Sequence, residues 1–497
     1  MKTESVSFQH DIQQKEERDV LMKLKMDYKW VALSVTSVGS FMSALDGSIV
    51  VIGLPTVLQN LHANLVEGVW IITGYKLILT ILLIMFGRLA DLYGRVRLYN
   101  LGFVIFTIGS LLCALSRTGE QLIIFRFLQG SGAALLVTNS AAIVTDAFPK
   151  GELATGLGTN MMAANLGAVA GYTLSGVMIT YFGWRSMFLI NVPIGIFGTL
   201  WGYFRLKEIG IKSVGQKFDY AGSILYCVGL ATILLALTIG DPTSGRNIAI
   251  LGGGIAFFVA VIFVELRQKY PTIDVTLFRI RLFAMGNIAN FLNALTFACG
   301  PFLRSLYLQL VLGYSPLKTG LSLIPMDILI LVLNPFSGRL ADRYGGRVLT
   351  SLGLAFDGAA LLWFSTLGER SSYSTVLISL LLFGFGLALF APANTSSIMG
   401  SVPADKRGVA SGIKSTISQT AGVLSVPFSL MLMTLVIPYN KLSQIVSGTQ
   451  LINSNEIPLF MEAVNRACLI LGVITFLAII PVLRGGEVEK NTPKPTN

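Results

Sequence analysis

Gly87-Arg88-Leu89-Ala90-Asp91-Leu92-Tyr93-Gly94-Arg95 returns later in the chain as Gly338-Arg339-Leu340-Ala341-Asp342-Arg343-Tyr344-Gly345-Gly346-Arg347. Seven of the first eight positions match. Each copy closes a long apolar run with a dense knot of charge. A repeat at about half the chain length is no solenoid period; it marks two homologous halves. Chance agreement between two basic loops does not account for Gly, Asp and Gly at fixed positions.

Outside the copies the chain is greasy. It has 497 residues, 53% of them apolar and only 13% charged, with a mean hydropathy of +0.70. Soluble proteins carry about 25% charged residues, so charge this sparse cannot coat a soluble globule. The fold class is an all-α polytopic membrane protein. The net charge of +11 does not point to nucleic acid, because most Lys and Arg fall in short loops between apolar runs. Cys113, Cys227, Cys299 and Cys468 lie inside apolar runs without CxxC spacing and read as small buried hydrophobes. His10 and His62 are the only histidines and stand far apart. No metal site, cofactor or catalytic triad is therefore expected, and the chain does not read as an enzyme. Gly408-Val409-Ala410-Ser411-Gly412-Ile413-Lys414-Ser415 looks like a phosphate loop, but its spacing is wrong and it opens an apolar run.

A membrane-spanning helix needs about 20 mostly apolar residues. Fourteen runs qualify: 30–58, 69–89, 98–115, 122–145, 154–181, 187–204, 220–239, 248–266, 282–312, 318–340, 348–367, 374–399, 408–437 and 461–483. The repeat copies follow runs two and ten, so runs seven and eight belong to neither half. The layout is a tail (1–29), a six-helix bundle (30–205), a linker with two inserted helices (206–281), a second six-helix bundle (282–484) and a tail (485–497). The first tail lacks the apolar core of a signal peptide. It reads as a disordered leader or as an amphipathic piece near Val20-Leu21-Met22-Leu24. Alternate loops are rich in cations, among them Arg88, Arg95, Arg97, Lys150, Arg205, Lys207, Lys212, Lys217, Lys269, Arg279, Arg281, Arg339, Arg343 and Arg347. Intervening loops hold about one each. The positive-inside rule then places both termini in the cytoplasm. Residues 438–460 form one long outer loop.

In the repeated loop, Gly87 and Gly94 permit close helix contact and a tight turn. Asp91 can face a neighbouring helix N-terminus, where the backbone dipole favours an anion. Arg95 can pair with it. One reading is a latch on the inner gate; the other is a plain topology anchor. The repetition of the Asp-Gly frame favours the latch, with Gly87, Asp91, Gly94 and Arg95 in the first copy and Gly338, Asp342 and Arg343 as a partial counterpart.

The loop resembles the signature cytoplasmic loop of the major facilitator superfamily, Gly-x-Leu-Ala-Asp-x-x-Gly-Arg. Fourteen spans with a two-span insertion resemble its drug:proton antiporter branch, the multidrug efflux type. Leu45-Asp46-Gly47-Ser48-Ile49-Val50-Val51-Ile52-Gly53-Leu54-Pro55 is similar to that branch's first-helix motif. Arg126-Phe127-Leu128-Gln129-Gly130-Ser131-Gly132-Ala133-Ala134 is similar to its fourth-helix motif, and residues 183–195 to the stretch leading into its sixth helix. On helix 5 the branch carries Gly-x-x-x-Gly-Pro; here Tyr172 replaces the proline and Ser175 a later glycine.

The resemblance implies two six-helix bundles that alternate access to a central cavity, with helices one and four lining it. Asp46 and Arg126 can then approach each other. Ionisable groups at bilayer depth are costly and usually functional. A carboxyl that releases its proton beside a guanidinium and takes it up in a drier state is a workable proton switch; a static ion pair is the alternative. Lys76, Arg304, Asp327 and Lys414 depart from the family's usual apolar residues. They either bind substrate or compensate charge, Lys76 neutralising Asp46 and Arg304 or Lys414 neutralising Asp327. Asp357, on what should be a peripheral helix, reads as compensation. Asn139, Asn165, Tyr172, Asn293, Gln309, Asn394 and Gln419 are polar candidates for the cavity wall. The expected function is proton-coupled export of drugs or amphiphilic small molecules by a monomer in the plasma membrane. The alternatives are an importer or exchanger of a polar or anionic metabolite, and a non-transporting sensor or scaffold. The expected partners are a small-molecule substrate, protons and the bilayer.

Overall fold

The computed structural model describes residues 2–149, 152–209, 220–238, 244–267, 274–403, 406–447 and 456–486. Lys150, Lys212, Lys217, Lys269 and the tail beyond 486 lie outside the described residues.

Every regular element among the described residues is helical. The first half contains α1 (Lys2–Leu61), α2 (Leu65–Tyr93), α3 (Arg95–Leu115), α4 (Gly119–Ala147), α5 (Leu153–Phe182), α6 (Ser186–Leu189) and α7 (Asn191–Arg205). The insertion supplies α8 (Tyr220–Thr238) and α9 (Gly245–Arg267). The second half contains α10 (Arg281–Leu306), α11 (Pro316–Tyr344), α12 (Gly346–Phe364), α13 (Tyr373–Gly400), α14 (Arg407–Thr434), α15 (Tyr439–Ser447), α16 (Ile457–Leu477) and α17 (Ile479–Gly485). Among the described residues, thirteen helical segments are long and apolar enough to cross a membrane, and a shorter apolar segment, Ile224–Thr238, lies in the insertion.

Local sequence sets the boundaries. Asn64 and Glu67 form a capping box that opens α2: the Glu67 N–H donates to Asn64 Oδ1 at 3.0 Å, and the Asn64 N–H donates to Glu67 Oε2 at 2.8 Å. Ser315 caps α11 with Pro316 as its first residue, where a missing N–H costs nothing. Gly94 (φ +106°) and Gly345 (φ +90°) end the second helix of each half in a conformation that a Cβ disfavours. Both sixth spans are broken, α6 from α7 at Ile190 and α16 from α17 at Ala478. Pro193 and Pro481 are each the third residue of the new helix, the place where proline is tolerated. Two expectations are corrected. The chain ahead of Trp30 continues as part of α1, and the loop over 438–460 contains the amphipathic helix α15.

The halves repeat in atomic detail. Gly130 on α4 approaches α2 so closely that a Cβ would lie 2.7 Å from the Tyr75 carbonyl; Gly384 on α13 stands 2.7 Å from the Met326 carbonyl on α11 in the same sense. Small residues thus let the equivalent helix pairs touch backbone to backbone. The residues beside these contacts are therefore equivalent: Gln129 to Phe383, and Lys76 to Asp327.

The apolar cores show how the bundles meet. One large core runs through both halves at the end opposite the repeated loops, joining Leu54, Val57 and Leu58 to Phe302, Leu430 and Met433. Leu442, Ile445 and Val446 of α15 belong to that same core, and α15 packs against α1 and α2 of the other half. At the repeated-loop end the cores are separate, one around Ala32, Val144 and Phe148, another around Leu277, Phe283 and Ile413. The bundles are thus joined at one end and part at the other.

Candidate functional site

Arg126 and Gln129 are three residues apart on α4, so a helix puts both on one face. That face meets Asp46 in the interior of the first bundle. Asp46 is fully buried and Arg126 is 1% exposed. Arg126 Nη1 donates to Asp46 Oδ2 in an ion pair. Gln129 Nε2 and Asn191 Nδ2 each donate to Asp46 Oδ1 at 2.8 Å. Further bonds tie the nest to its surroundings. Arg126 Nη1 reaches Gln129 Oε1 at 2.7 Å, and its Nε reaches the Ile71 carbonyl at 3.1 Å. Gln129 Nε2 also donates to Ser110 Oγ at 2.6 Å. The guanidinium lies 4.2 Å from the centre of the Tyr75 ring, a cation–π contact that desolvation strengthens. The carboxylate thus has three donors, one of them a charge-matched guanidinium.

Lys76 does not neutralise Asp46, which spends its oxygens on Arg126, Gln129 and Asn191. Lys76 itself is half-buried. Gln129, Asn191 and Ser110 were not singled out from the sequence. Gln129 had a legible signal in its spacing from Arg126; Asn191 and Ser110 had none.

The second bundle holds a different nest in the same place. Arg304 on α10 is 2% exposed, and among the described residues none of its three guanidinium nitrogens has a hydrogen-bond partner. Its plane lies 4.1 Å from the centre of Phe383 and 5.7 Å from that of Phe364. Asp357 on α12 is 1% exposed; its Oδ2 accepts from Asn293 Nδ2 at 2.9 Å, and its Oδ1 has no partner. Asp357 thus lies in the bundle interior, not on the periphery. Asp327 on α11 is buried, with Oδ2 unpartnered. Neither Arg304 nor Lys414 forms an ion pair with Asp327 among the described residues.

The other polar candidates scatter. Gln309 joins the halves, donating to the Ile52 carbonyl at 3.1 Å and to Ser305 Oγ at 2.8 Å. Asn139 donates to the Leu135 carbonyl of its own helix, and Asn394 to the Gly286 carbonyl across α10 and α13. Asn165 is exposed, whereas Tyr172, Lys414 and Gln419 are half-buried. The Tyr172 backbone packs beside Gly320 of the other half.

At the repeated loops, the side chains of Arg88, Asp91 and Asp342 lie outside the described residues. Arg95 Nη1 pairs with Asp146 Oδ1 at 2.6 Å. The N-terminus of α3 is capped by Glu208, which follows α7: Oε1 accepts from the Arg95 N–H at 2.9 Å and Oε2 from the Val96 N–H at 3.1 Å. A carboxylate at a helix N-terminus is well placed, but it arrives from the linker. Gly87 packs against Thr138, and nothing crowds Gly338. Arg343 stacks on Tyr344 at 5.4 Å, and Arg347 donates to the Leu483 carbonyl at 2.6 Å.

Two further ion pairs brace this end. Lys29, just before the first span, pairs with Glu152 before the fifth. Asp274, before the ninth, pairs with Lys406 before the thirteenth at 2.9 Å. The Thr276 side chain, followed by Lys406, holds the Asp274 carboxyl below its usual range.

Two repeated bundles with a buried charge nest in each define a membrane transporter of the alternating-access kind. The Major Facilitator Superfamily profile matches residues 36–426, and the chain belongs to that family. It is 31% identical to a riboflavin transporter, RibZ, of Clostridioides difficile over 87% of this chain and 94% of that protein. It is 30% identical to a tetracenomycin C resistance and export protein of Streptomyces glaucescens, over 80% of this chain and 74% of that one. Its fold superposes with a TM-score of 0.67 on a bacterial homologue of the human lysosomal transporter Spinster in an inward-facing, unoccupied conformation, at 15% identity, covering 92% of this chain and 98% of that one.

Proposed function

We propose that this transporter exports amphiphilic small molecules in exchange for protons, working as a monomer in the plasma membrane. The observation that carries the reading is the Asp46–Arg126 nest, a fully buried ion pair with every oxygen of the carboxylate in use. It is the deprotonated half of a switch. Protonation of Asp46 removes the charge that Arg126, Gln129 and Asn191 converge on, and so frees α1 from α4 and α7. Resistance relatives, the tetracenomycin exporter among them, support the direction.

The cation-rich loops favour a cytoplasmic face for the repeated-loop end and for both termini. On that assignment the separate cores of that end correspond to bundles open to the cytoplasm, ready to load a substrate for export. Arg95–Asp146 and the Glu208 cap belong to the gate that closes there.

The relationship to RibZ, which spans more of the chain than the tetracenomycin exporter does, favours a second reading. In that reading the cargo is a polar, riboflavin-like metabolite. The experiment is transport in proteoliposomes with an imposed pH gradient, assayed with a panel of amphiphilic dyes and with riboflavin. Dye movement against its gradient, driven by inward proton flow and abolished in Asp46→Asn, is the expected result. Asp46→Asn transport that still follows the pH gradient removes the coupling role; movement of riboflavin alone moves the conclusion to the second reading.

A further inference from the structure

The second bundle's nest breaks the accounting that the first obeys. An ionised carboxylate offers about four lone-pair sites and accepts only. Asp46 receives three donors from three side chains. Asp357, equally buried, receives one, from Asn293. Its other oxygen has no partner and lies against Gly386, where α12 and α13 cross without room for a Cβ. A charged oxygen held dry and without a donor is among the most costly groups a protein can bury.

Donors stand one turn away along α13: Arg304 lies over Phe383, three residues before the Gly386 that Asp357 abuts, and among the described residues its three guanidinium nitrogens lack acceptors. The guanidinium carbon lies over the Phe383 ring, which offers no acceptor to its N–H groups. Gly300 provides its room: a Cβ there would lie 2.5 Å from Arg304 Nη1. An unfilled cation edge and an unfilled carboxyl oxygen thus share one bundle interior. The other groups that face them are few. Asp327 comes from α11 and Cys468 from α16; α13 presents Phe383 and the Gly386 backbone; Arg484 of α17 is exposed at the repeated-loop end.

We propose that the second bundle holds a proton site of its own, in which Asp357 carries the proton, Asn293 fixes its carboxyl, and Arg304 receives the carboxylate after the proton has left. The step is a simple dissociation. The O–H bond of the carboxyl breaks, the proton passes to water, and the electron pair stays on the oxygen that turns to the guanidinium. The structure holds the loaded form, with Arg304 parked on Phe383. Asp357 is the proton carrier, and Arg304 and Asn293 are positioning residues. The site gives each bundle one titrating carboxyl, and it rests on the proton-coupled reading of the transporter.

The test is infrared difference spectroscopy of the purified full-length protein in lipid, titrated with acid and base. The probe is the proton itself. A protonated-carboxyl band that shifts in heavy water, titrates, disappears in Asp357→Asn and survives in Asp46→Asn is the expected result. Arg304→Gln displaces the midpoint of that band, which a purely structural arginine would not do. Asn293→Leu serves as a second variant should Asp357→Asn fail to fold, and it shifts the band frequency by removing the amide donor. A spectrum unchanged in Asp357→Asn overturns the proposal, as does an Asp357 band that stays put across the range in which the protein is folded. Those outcomes leave coupling at Asp46 standing. Failure of the coupled reading shows separately, as wild-type proteoliposomes whose dye and riboflavin transport both ignore the pH gradient; that result removes the cycle in which Asp357 would act.

Discussion

The two bundles share a frame and differ in what fills it. In the first, Gln129 stands one residue before the helix contact at Gly130 and knits Asp46, Arg126 and Ser110 together. In the second, the equivalent position is Phe383, which offers Arg304 a flat apolar face and no acceptor. One residue past each contact stand Lys76 and Asp327, opposite in charge. The braces at the repeated-loop end are also inverted, Lys29–Glu152 against Asp274–Lys406. Duplication fixed the backbone and the glycine contacts. Side-chain chemistry then diverged, so one bundle holds a closed ionic network and the other an open one.

The comparison breaks most readily at Arg126. Arg126→Ala strands a buried carboxylate, and losing one partner of such a pair costs about 3–5 kcal/mol. We expect loss of transport and a clear fall in melting temperature of the purified protein. The matching change, Arg304→Leu, removes a cation that has no bonded partner, and its melting temperature should fall far less. Equal falls would mean that the two nests are equally tight.

The shared frame is tested at the glycines. Gly130→Ala and Gly384→Ala each push a methyl against a carbonyl 2.7 Å away, at a cost of about 1–3 kcal/mol for overpacking. Similar losses of folded protein in fluorescence size-exclusion chromatography are expected; tolerance at one site alone would break the equivalence. Next comes Gln129→Leu, which takes donors from Asp46 and Ser110 and should cost about 1–3 kcal/mol. Phe383→Leu changes only the stacking face and should cost less by thermal unfolding.

The smallest effect is at the ionic braces of the repeated-loop end. Partly exposed pairs contribute about 0.2–1 kcal/mol. Because Asp274 is held below its usual range, its contribution is present above the unfolded carboxyl value near about 3.9 and is lost as pH falls through the folded one. Thermal unfolding of Asp274→Asn should match the wild type in acid and fall slightly below it at neutral pH. A difference that instead grows in acid would contradict the sign.

Much of this was legible in the sequence. The repeated loop gave the two halves, and sparse charge gave the membrane. Asp46 and Arg126 stood out because ionisable groups are rare in apolar runs. Of their neutral partners only Gln129 carried a signal, its spacing from Arg126; Asn191 and Ser110 look like any other polar residue until the helices pack. Glu208 was hidden for another reason: it caps α3 from a linker more than a hundred residues away, and no local pattern signals that. The breaks ahead of Pro193 and Pro481 could have been read from the prolines. The helix α15 could have been found from Leu442, Ile445 and Val446 at helical spacing inside a polar stretch. Asp357 was misjudged because a span's rank in the bundle says little about which way one side chain points.

The two ends of the molecule are held by different forces. Around α15 the contact is apolar, made by Leu442, Ile445 and Val446 against the shared core. At the repeated-loop end the braces are ionic. Apolar contact weakens on cooling, and exposed ion pairs weaken in salt. Cold therefore loosens the contact that joins the bundles, and brine loosens the braces within each bundle at the parted end, so temperature and ionic strength act as separate handles on the two ends of the molecule.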